Sequence, residues 1–194
     1  QTCALPILSF WDKHAKILQR ASKEYGVPQE IIVAIIGVET FYGTRMGGFS
    51  VLDALTTLGF DYPPRGKFFK SELEHFLLLV QEESIDPFEV LGSYAGAMGM
   101  GQFIPSSYRR FTVDFDGNGK RDLWKSPTDA IGSVANYFKV HKWKTGEPVI
   151  QLADVQGKKY VKLKANGRKP SYSKAELKAA GITSRGTVTN DEKL

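Results

Sequence analysis

PQEIIVAIIGVETFYG, residues 28–43, is the stretch of sequence that decides the fold. It opens with a proline, which is favoured in the first turn of a helix, and continues with apolar residues at helical spacing. The pattern predicts a buried helix over 28–39, with Gly43 soon after it as the C-terminal stop. Glu39 follows Ile36 by three residues and Ile35 by four. It is therefore predicted to extend the apolar stripe instead of facing water.

Glu39 is the residue of this helix with the clearest chemical implication. In the last turn it would lie near the negative end of the helix dipole, and burial disfavours its charged form. Both effects raise the pKa, so we expect the carboxyl to keep its proton near neutral pH. Such a group can act as general acid toward a glycosidic oxygen. The alternative is a side chain that turns to solvent at a frayed helix end, as most isolated Glu residues do.

The rest of the chain up to residue 145 is predicted to be mainly helical. Hydrophobic periodicity and breaker residues indicate further helices over 10–25, 51–58, 68–83, 86–92, 105–111 and 130–143. The 68–83 helix is predicted to bury Leu73, Phe76, Leu77 and Val80. Two starts carry capping signals: Asp86-Pro87 for the short helix, and a capping box over 126–129 for the last one.

The character of the sequence changes after Gly146. Alternating segments over 149–155 and 159–164, separated by Gly157, predict a β-hairpin. A short capped helix is expected over 173–180, ended by Gly181. The predicted fold class is therefore mainly α (α+β). It comprises a helical domain over 1–145 and a small basic β-hairpin and short-helix module over 146–194.

Composition is that of a soluble globular protein, with 42% hydrophobic and 24% charged residues in 194. The net charge of +5 is uneven: residues from Lys144 onward hold 11 basic and 5 acidic side chains, against 15 and 16 before it. This excess could attract an anionic polymer, nucleic acid or a membrane surface, or be only a solvated lysine-rich sheet edge. No nucleic-acid motif is present, so no such partner is expected.

Cys3 is the only cysteine, so no intrachain disulfide can form, and we expect a free thiol in a loose terminus. No run reaches the roughly 18 apolar residues of a membrane span. Membrane association would require a lipid anchor that this chain lacks or does not reveal. The chain begins at Gln1 instead of Met, which indicates a processed product or a fragment.

DFDGNGKRD, residues 114–122, resembles the first part of an EF-hand loop. Oxygen side chains stand at positions 1, 3, 5 and 9, and glycine stands at position 6 for the sharp turn. Lys125 occupies position 12, where a bidentate Glu is usual, and Asp129 is the nearby carboxylate that could replace it. The candidate ligands of a structural Ca²⁺ are Asp114, Asp116, Asn118, Asp129 and the backbone carbonyl of Lys120. The alternative is an Asx-rich turn in which Asp129 only caps a helix.

Other catalytic chemistries lack support in the sequence. The three histidines have no partner pattern typical of a triad, and no Cys/His cluster could hold zinc. The glycine-rich run GSYAGAMGMGQF, residues 92–103, permits close backbone approach to a ligand, but no phosphate-loop lysine follows it. No organic cofactor is expected. Tyr94 and Tyr137 are among the tyrosines near these motifs, and such rings suit contacts with sugars.

Four stretches together resemble the membrane-bound lytic transglycosylase B family. They are GVETFYG (37–43), LDALTTL (52–58), GSYAGAMGMGQFIPSSY (92–108) and DAIGSVANYF (129–138). They cover most of residues 25–145 in the order and spacing of the family. The resemblance implies a lysozyme-like helical catalytic domain that acts on peptidoglycan glycan strands.

In this resemblance Glu39 matches the single catalytic acid/base of the family. Ser93, Gln102 and Tyr137 match glycan-contacting positions, and Tyr94 joins them as a candidate contact. The 114–129 region matches a calcium loop closed by its last carboxylate. The implied reaction cleaves the β-1,4 bond between N-acetylmuramic acid and N-acetylglucosamine and forms 1,6-anhydromuramic acid. A hydrolytic muramidase and a non-catalytic glycan-binding fragment are the alternatives.

The resemblance also carries expectations for the whole protein. Residues 146–194 look like a small insertion of the family without the return of the chain to the helical core, so we expect a C-terminally truncated fragment. The expected location is the periplasm or cell envelope, with association with the outer membrane left open, and the expected state is a monomer.

Overall fold

The computed structural model describes residues 4–164 and 171–186, so the prediction for Cys3 lies outside the described part. The chain divides into two compact units between Thr145 and Gly146. Elements of the first unit are α1 (Ala4–Tyr25), α2 (Gln29–Thr40), β1 (Phe49–Ser50), α3 (Val51–Phe60), α4 (Gly66–Glu83), β2 (Leu91–Gly92), α5 (Pro105–Phe111) and α6 (Pro127–Val140). Within the described residues, no helix combines the length and apolar character needed to cross a membrane.

Helix α2 lies at the centre of the first unit, as its apolar sequence predicts. Ile32, Val33 and Ile36 are buried, and the helix packs against α1 and α6. Helices α3, α4 and α5 form a second group, in which α4 contacts both of the others. Buried Glu72 of α4 fixes the start of α5, because its carboxylate accepts hydrogen bonds from the Ser106 N–H (2.9 Å) and hydroxyl (2.7 Å).

The end of α2 differs from the prediction. The helix stops at Thr40, and Phe41 and Tyr42 both adopt left-handed backbone angles, with φ of 49° and 61°. The Phe41 N–H donates to the Gly37 carbonyl (2.9 Å). Gly43 has a φ of 82°, but it follows the stop instead of forming it. The helix therefore ends on two non-glycine residues in a conformation that L-residues seldom adopt.

Two predictions for the region after α3 are wrong. Leu77 of α4 is exposed, whereas Leu79 is fully buried, so the buried face is rotated from the predicted one. Residues 86–92 do not form a helix: they form a turn followed by β2, which pairs antiparallel with β1. The Asp86 carboxylate does accept the Phe88 N–H (2.9 Å), but this bond closes a turn. Strand pairing with a distant segment overrides the local capping signal here.

The second unit contains β3 (Ala153–Val155), α7 (Lys174–Ala179) and β4 (Ile182–Ser184). A two-stranded antiparallel sheet exists as predicted, but its second strand is β4 instead of residues 159–164. Residues Lys159–Lys162 form a 3-10 turn. Helix α7 is confirmed, with a reciprocal capping box between Ser173 and Glu176.

Candidate active site

An open cleft of about 330 Å³ lies between α2, the glycine-rich loop and the helices α5 and α6. Its walls are mostly apolar or aromatic, with a few polar groups among them, which is typical of a ligand site. The lining residues are Ile35, Glu39, Gly101, Gln102, Phe103, Ile104, Ser107, Val134, Tyr137 and Phe138.

Glu39 lies in the last turn of α2 at the edge of this cleft. The prediction that it avoids water is wrong, because the residue is exposed to the cleft. Thr40 takes the buried position at this end of the helix instead. The cleft walls still remove part of the water around the carboxyl, and this desolvation raises the pKa of Glu39. Within the described residues the carboxyl has no hydrogen-bond or ion-pair partner, so it is available to a ligand.

Gln102 lines the cleft, and its side-chain hydrogen bonds are made by the amide nitrogen. Its side-chain amide donates to the carbonyls of Gly99 (3.0 Å) and Met46 (3.2 Å). Both amide hydrogens are thereby used, and the Oε1 oxygen remains as an acceptor for a ligand N–H or O–H. The backbone of Gln102 is left-handed, with a φ of 49°, and Met98 and Phe103 pair across this turn. The loop is therefore held by its own backbone bonds before any ligand arrives.

Tyr137 of α6 is fixed by the rings around it. It stacks on His141 at 4.1 Å and meets the Phe103 and Phe111 rings edge-on at 5.9 and 5.1 Å. A partly exposed ring held in this way offers a preformed surface to a sugar. Ring packing thus positions Tyr137 on the cleft wall.

Ser93 and Tyr94 are not among the cleft-lining residues. The Ser93 hydroxyl accepts hydrogen bonds from the N–H groups of Ala95 (3.3 Å) and Ala97 (3.0 Å), so it closes the turn at the start of the glycine-rich loop. The Tyr94 side chain is highly exposed. The structure therefore brings Glu39, Gln102 and Tyr137 together and places the other two candidates outside the cleft lining.

Several cleft residues did not emerge from the sequence as site candidates. Ile35 could have been found, because it lies one helical turn before Glu39. Phe103 and Phe138 adjoin predicted contacts, but an aromatic residue in a core-forming segment carries no separate signal. Val134 and Ser107 are identified only by the packing of α5 and α6.

The acidic loop places three carboxylates at one point. Oxygens of Asp114, Asp116 and Asp129 lie within 4.8 Å of one another. Within the described residues no Lys or Arg forms a salt bridge to them. A hard divalent cation would neutralise this cluster, and carboxylate oxygens are the ligands it prefers. The donor set therefore fits calcium.

Asp129 organises this loop. It is fully buried, and its carboxylate accepts the N–H groups of Phe115 (2.8 Å), Asp116 (3.2 Å) and Asp122 (2.9 Å). Desolvation raises the pKa of Asp129, although these bonds oppose the shift. The predicted capping box at the start of α6 is half-formed: the Ser126 hydroxyl accepts the Asp129 N–H (3.2 Å), but the Asp129 carboxylate serves the loop.

The other candidate ligands take part in the turn itself. The Asp114 carboxylate accepts hydrogen bonds from the N–H groups of Gly119 (2.7 Å) and Gly117 (2.8 Å). These bonds lower the pKa of Asp114, and the bond from Gly119 has the largest effect. The Asn118 side-chain oxygen accepts the Lys120 N–H (2.9 Å). The side-chain oxygens of Asp114 and Asn118 thus close a tight turn through bonds to its backbone N–H groups.

Residues 8–193 match the family described as the transglycosylase SLT domain. The chain belongs to this family. A curated relative, the membrane-bound lytic murein transglycosylase B of Escherichia coli (strain K12), is 50% identical over 183 residues, which are 94% of this chain and 49% of the relative. The resemblance drawn from the sequence motifs is confirmed.

Solved structures of the family share the fold. The soluble lytic transglycosylase SltB1 from Pseudomonas aeruginosa is 53% identical with a TM-score of 0.90, over 96% of this chain and 62% of that one. Escherichia coli Slt35 in complex with calcium is 49% identical with a TM-score of 0.89, over 97% and 59%. SltB3 from Pseudomonas aeruginosa, solved with NAG-NAM-pentapeptide, is 33% identical with a TM-score of 0.82, over 97% and 51%.

These neighbours confirm the mainly helical, lysozyme-like fold class. The chain spans about half the length of the curated relative that it matches.

Proposed function

We propose that this chain carries the catalytic acid of a peptidoglycan lytic transglycosylase, which cleaves the β-1,4 bond between N-acetylmuramic acid and N-acetylglucosamine. The observation that carries the proposal is Glu39. Its carboxyl has a raised pKa, has no partner among the described residues, and is open to a cleft with apolar and aromatic walls. Family relatives solved with muropeptide ligands support this substrate class.

The mechanism uses the Glu39 carboxyl twice. Protonated Glu39 donates its proton to the glycosidic oxygen, and the bond from that oxygen to C1 of the muramoyl residue breaks as oxocarbenium character develops. The resulting carboxylate then takes the proton of the muramoyl C6 hydroxyl, and O6 bonds to C1. The 1,6-anhydro ring closes, no water is consumed, and Glu39 is protonated again.

The number of carboxyl groups in the cleft favours this route over ordinary hydrolysis. Glycosidases that use water commonly need a second carboxylate, either as base or as nucleophile. Among the described residues that line the cleft, Glu39 is the only acid. An internal hydroxyl as nucleophile needs no second carboxylate. Hydrolysis by a muramidase remains the alternative, and the mass of the product separates the two.

The neighbouring residues supply binding. Gln102 accepts a hydrogen bond from a sugar N–H or O–H through Oε1, and Tyr137 offers its ring to a sugar face. Ser93 supports the loop, and Tyr94 contacts a more distant part of the glycan strand. The glycan strand is the partner that this set of residues fits.

Calcium has a structural role in this proposal. Asp114, Asp116, Asn118, Asp129 and the backbone carbonyl of Lys120 would hold the ion, which supplies charge neutralisation and rigidity to the 114–129 region. The calcium complex of Slt35, a relative of similar fold, supports this assignment. A cell-envelope location follows from the substrate, and action as a monomer stays a prediction.

The test is digestion of purified peptidoglycan with mass spectrometry of the products. Wild type should release fragments ending in anhydromuramic acid, and Glu39→Gln should lose about 10²–10⁴-fold in rate because it removes the general acid. Glu30→Gln, an exposed residue on the same helix, is the matched control and should keep full activity.

Products heavier by one water would identify a muramidase. Binding of glycan without turnover, by a folded wild-type chain, would identify a glycan-binding fragment instead.

A further inference from the structure

Thr40, the residue after Glu39, is a buried polar residue at the end of α2. It is 1% exposed. Its hydroxyl oxygen lies 2.9 Å from the Met100 carbonyl and 3.2 Å from the Ile36 carbonyl, and it accepts the Gly43 N–H at 3.0 Å. A hydroxyl has one proton to donate, so it donates mainly to the nearer acceptor, the Met100 carbonyl.

The bond to Met100 joins α2 to the facing wall of the cleft across 60 residues of sequence. Met100 precedes the lining residues Gly101 and Gln102, and its N–H donates to the Leu123 carbonyl (2.8 Å). Met100 is itself buried. The N–H of Met100 therefore holds the glycine-rich loop to Leu123. Its carbonyl accepts the Thr40 hydroxyl and so links the loop to α2, the helix that carries Glu39.

The turn that follows Thr40 needs support. The left-handed conformations of Phe41 and Tyr42 are unfavourable for L-residues and persist only where their surroundings stabilise them. By accepting the Gly43 N–H, the Thr40 hydroxyl satisfies a backbone donor inside this turn. Its backbone carbonyl accepts the Arg45 N–H (2.9 Å) from the far side of the same turn.

We infer that Thr40 is a positioning residue, whose hydroxyl sets the separation between the Glu39 carboxyl and the glycine-rich wall that carries Gln102. The inference rests on the proposed function, since it concerns the geometry of that acid. A displacement of about 1 Å in a reacting group can cost on the order of 10²-fold in rate. A wall free to move away would also admit water beside the carboxyl and at the muramoyl C1.

The sharpest test is a pair of substitutions that separates the hydroxyl from the volume of the side chain. Thr40→Val keeps the shape and removes the hydroxyl, whereas Thr40→Ser keeps the hydroxyl. We expect Thr40→Val to lower kcat about 10- to 100-fold with little change in KM. We expect Thr40→Ser to restore most of the rate.

Two further readouts distinguish positioning from simple stability. The Thr40→Val variant should release some hydrated reducing ends beside the anhydro ends. The basic limb of its pH–rate profile should move to lower pH, because added water brings the pKa of Glu39 back toward its ordinary value. A change that only lowered the folded fraction would alter neither the product ratio nor the limb.

Wild type and Glu39→Gln are measured in the same assay. Wild type without turnover would reject the proposed function and the role of Thr40 with it. The role of Thr40 alone would be rejected by a different result. In that case Glu39→Gln loses turnover, whereas folded Thr40→Val has the kcat, products and pH profile of wild type. If Thr40→Val does not fold, Thr40→Cys replaces it: its weakly bonding thiol should give the same changes to a smaller extent, and an unaltered profile would again reject the role.

Discussion

Under the proposed function, Glu39 is a residue at which a requirement of catalysis conflicts with stability. The cleft walls raise the pKa of its carboxyl by desolvation, which keeps the proton on the acid at higher pH. Because the folded state favours the protonated form, ionised Glu39 destabilises the fold above its folded-state pKa. The property that prepares the acid for catalysis therefore weakens the fold at neutral pH.

Replacement of Glu39 by Gln should raise the thermal midpoint at pH 7 while it removes activity. The pKa is higher in the folded than in the unfolded chain, so the gain should shrink as pH falls through the folded-state pKa. It should vanish below the unfolded value of about 4.3, where both side chains are neutral. Thermal melts across this pH range measure it, with Glu30→Gln as the control for charge removal. A gain that persists in acid, or no gain at pH 7, would contradict desolvation as the cause of the shift.

The exposure of Glu39 could not be derived from periodicity. Spacings of three and four residues place it beside Ile35 and Ile36, but an apolar stripe spans about 100° or more of the helix surface. Whether a residue at the edge of the stripe is covered depends on the helices and loops that pack there. Gln102 and Tyr137, named from the family resemblance as glycan contacts, both line this cleft. The buried position of Thr40 had no signal in the sequence.

At the scale of an element, the 114–129 loop places carboxylate charges close together and satisfies them with backbone N–H groups. Three carboxylates converge, and within the described residues the Asp129 carboxylate accepts hydrogen bonds only from backbone N–H groups of the loop. A cation bound only by the folded state would stabilise this arrangement by mass action.

Calcium should accordingly raise the thermal midpoint of the chain. At a concentration of 100 times its Kd the stabilisation is about 2.7 kcal/mol, or about 5–10 °C for a protein of this size. Asp116→Asn should lose most of the increase. Asp129→Asn should lose it too, and should also lower calcium-free stability by about 1–3 kcal/mol, because its amide would face a backbone N–H.

Scanning calorimetry with calcium or with a chelator measures both effects. Asp61→Asn, an exposed acid elsewhere in the chain, is the matched control and should keep the full calcium response. An equal response in Asp116→Asn would exclude this loop as the site.

Elements with local determinants were predicted well, and elements that depend on distant partners were not. Helix α7 has its cap and its stop within a few residues, and it forms as expected. Residues 86–92 carried a local helix signal, yet they include β2, which pairs with β1. Residues 159–164 carried a strand signal, yet β3 pairs with β4 instead of with them. A strand is stabilised by its neighbour, so a single segment cannot identify its own partner.

At the scale of the whole molecule, the buried core belongs almost entirely to the first unit. Among the described residues, Ala180 is the one buried hydrophobic residue after Thr145. Every residue that lines the cleft also precedes that point. Hydrophobic burial is the main stabilising term in folding, so the second unit contributes little core to the fold that holds Glu39.

A chain shortened to residues 1–145 should therefore fold by itself. We expect a cooperative thermal transition, a helical circular dichroism spectrum and turnover of peptidoglycan within about threefold of the longer chain, because the core and the cleft are intact. The matched control is Glu39→Gln in the shortened chain, which should be folded and inactive. A shortened chain that unfolds without cooperativity would reject the independence of the first unit in folding. A shortened chain that folds without activity would reject its independence in catalysis.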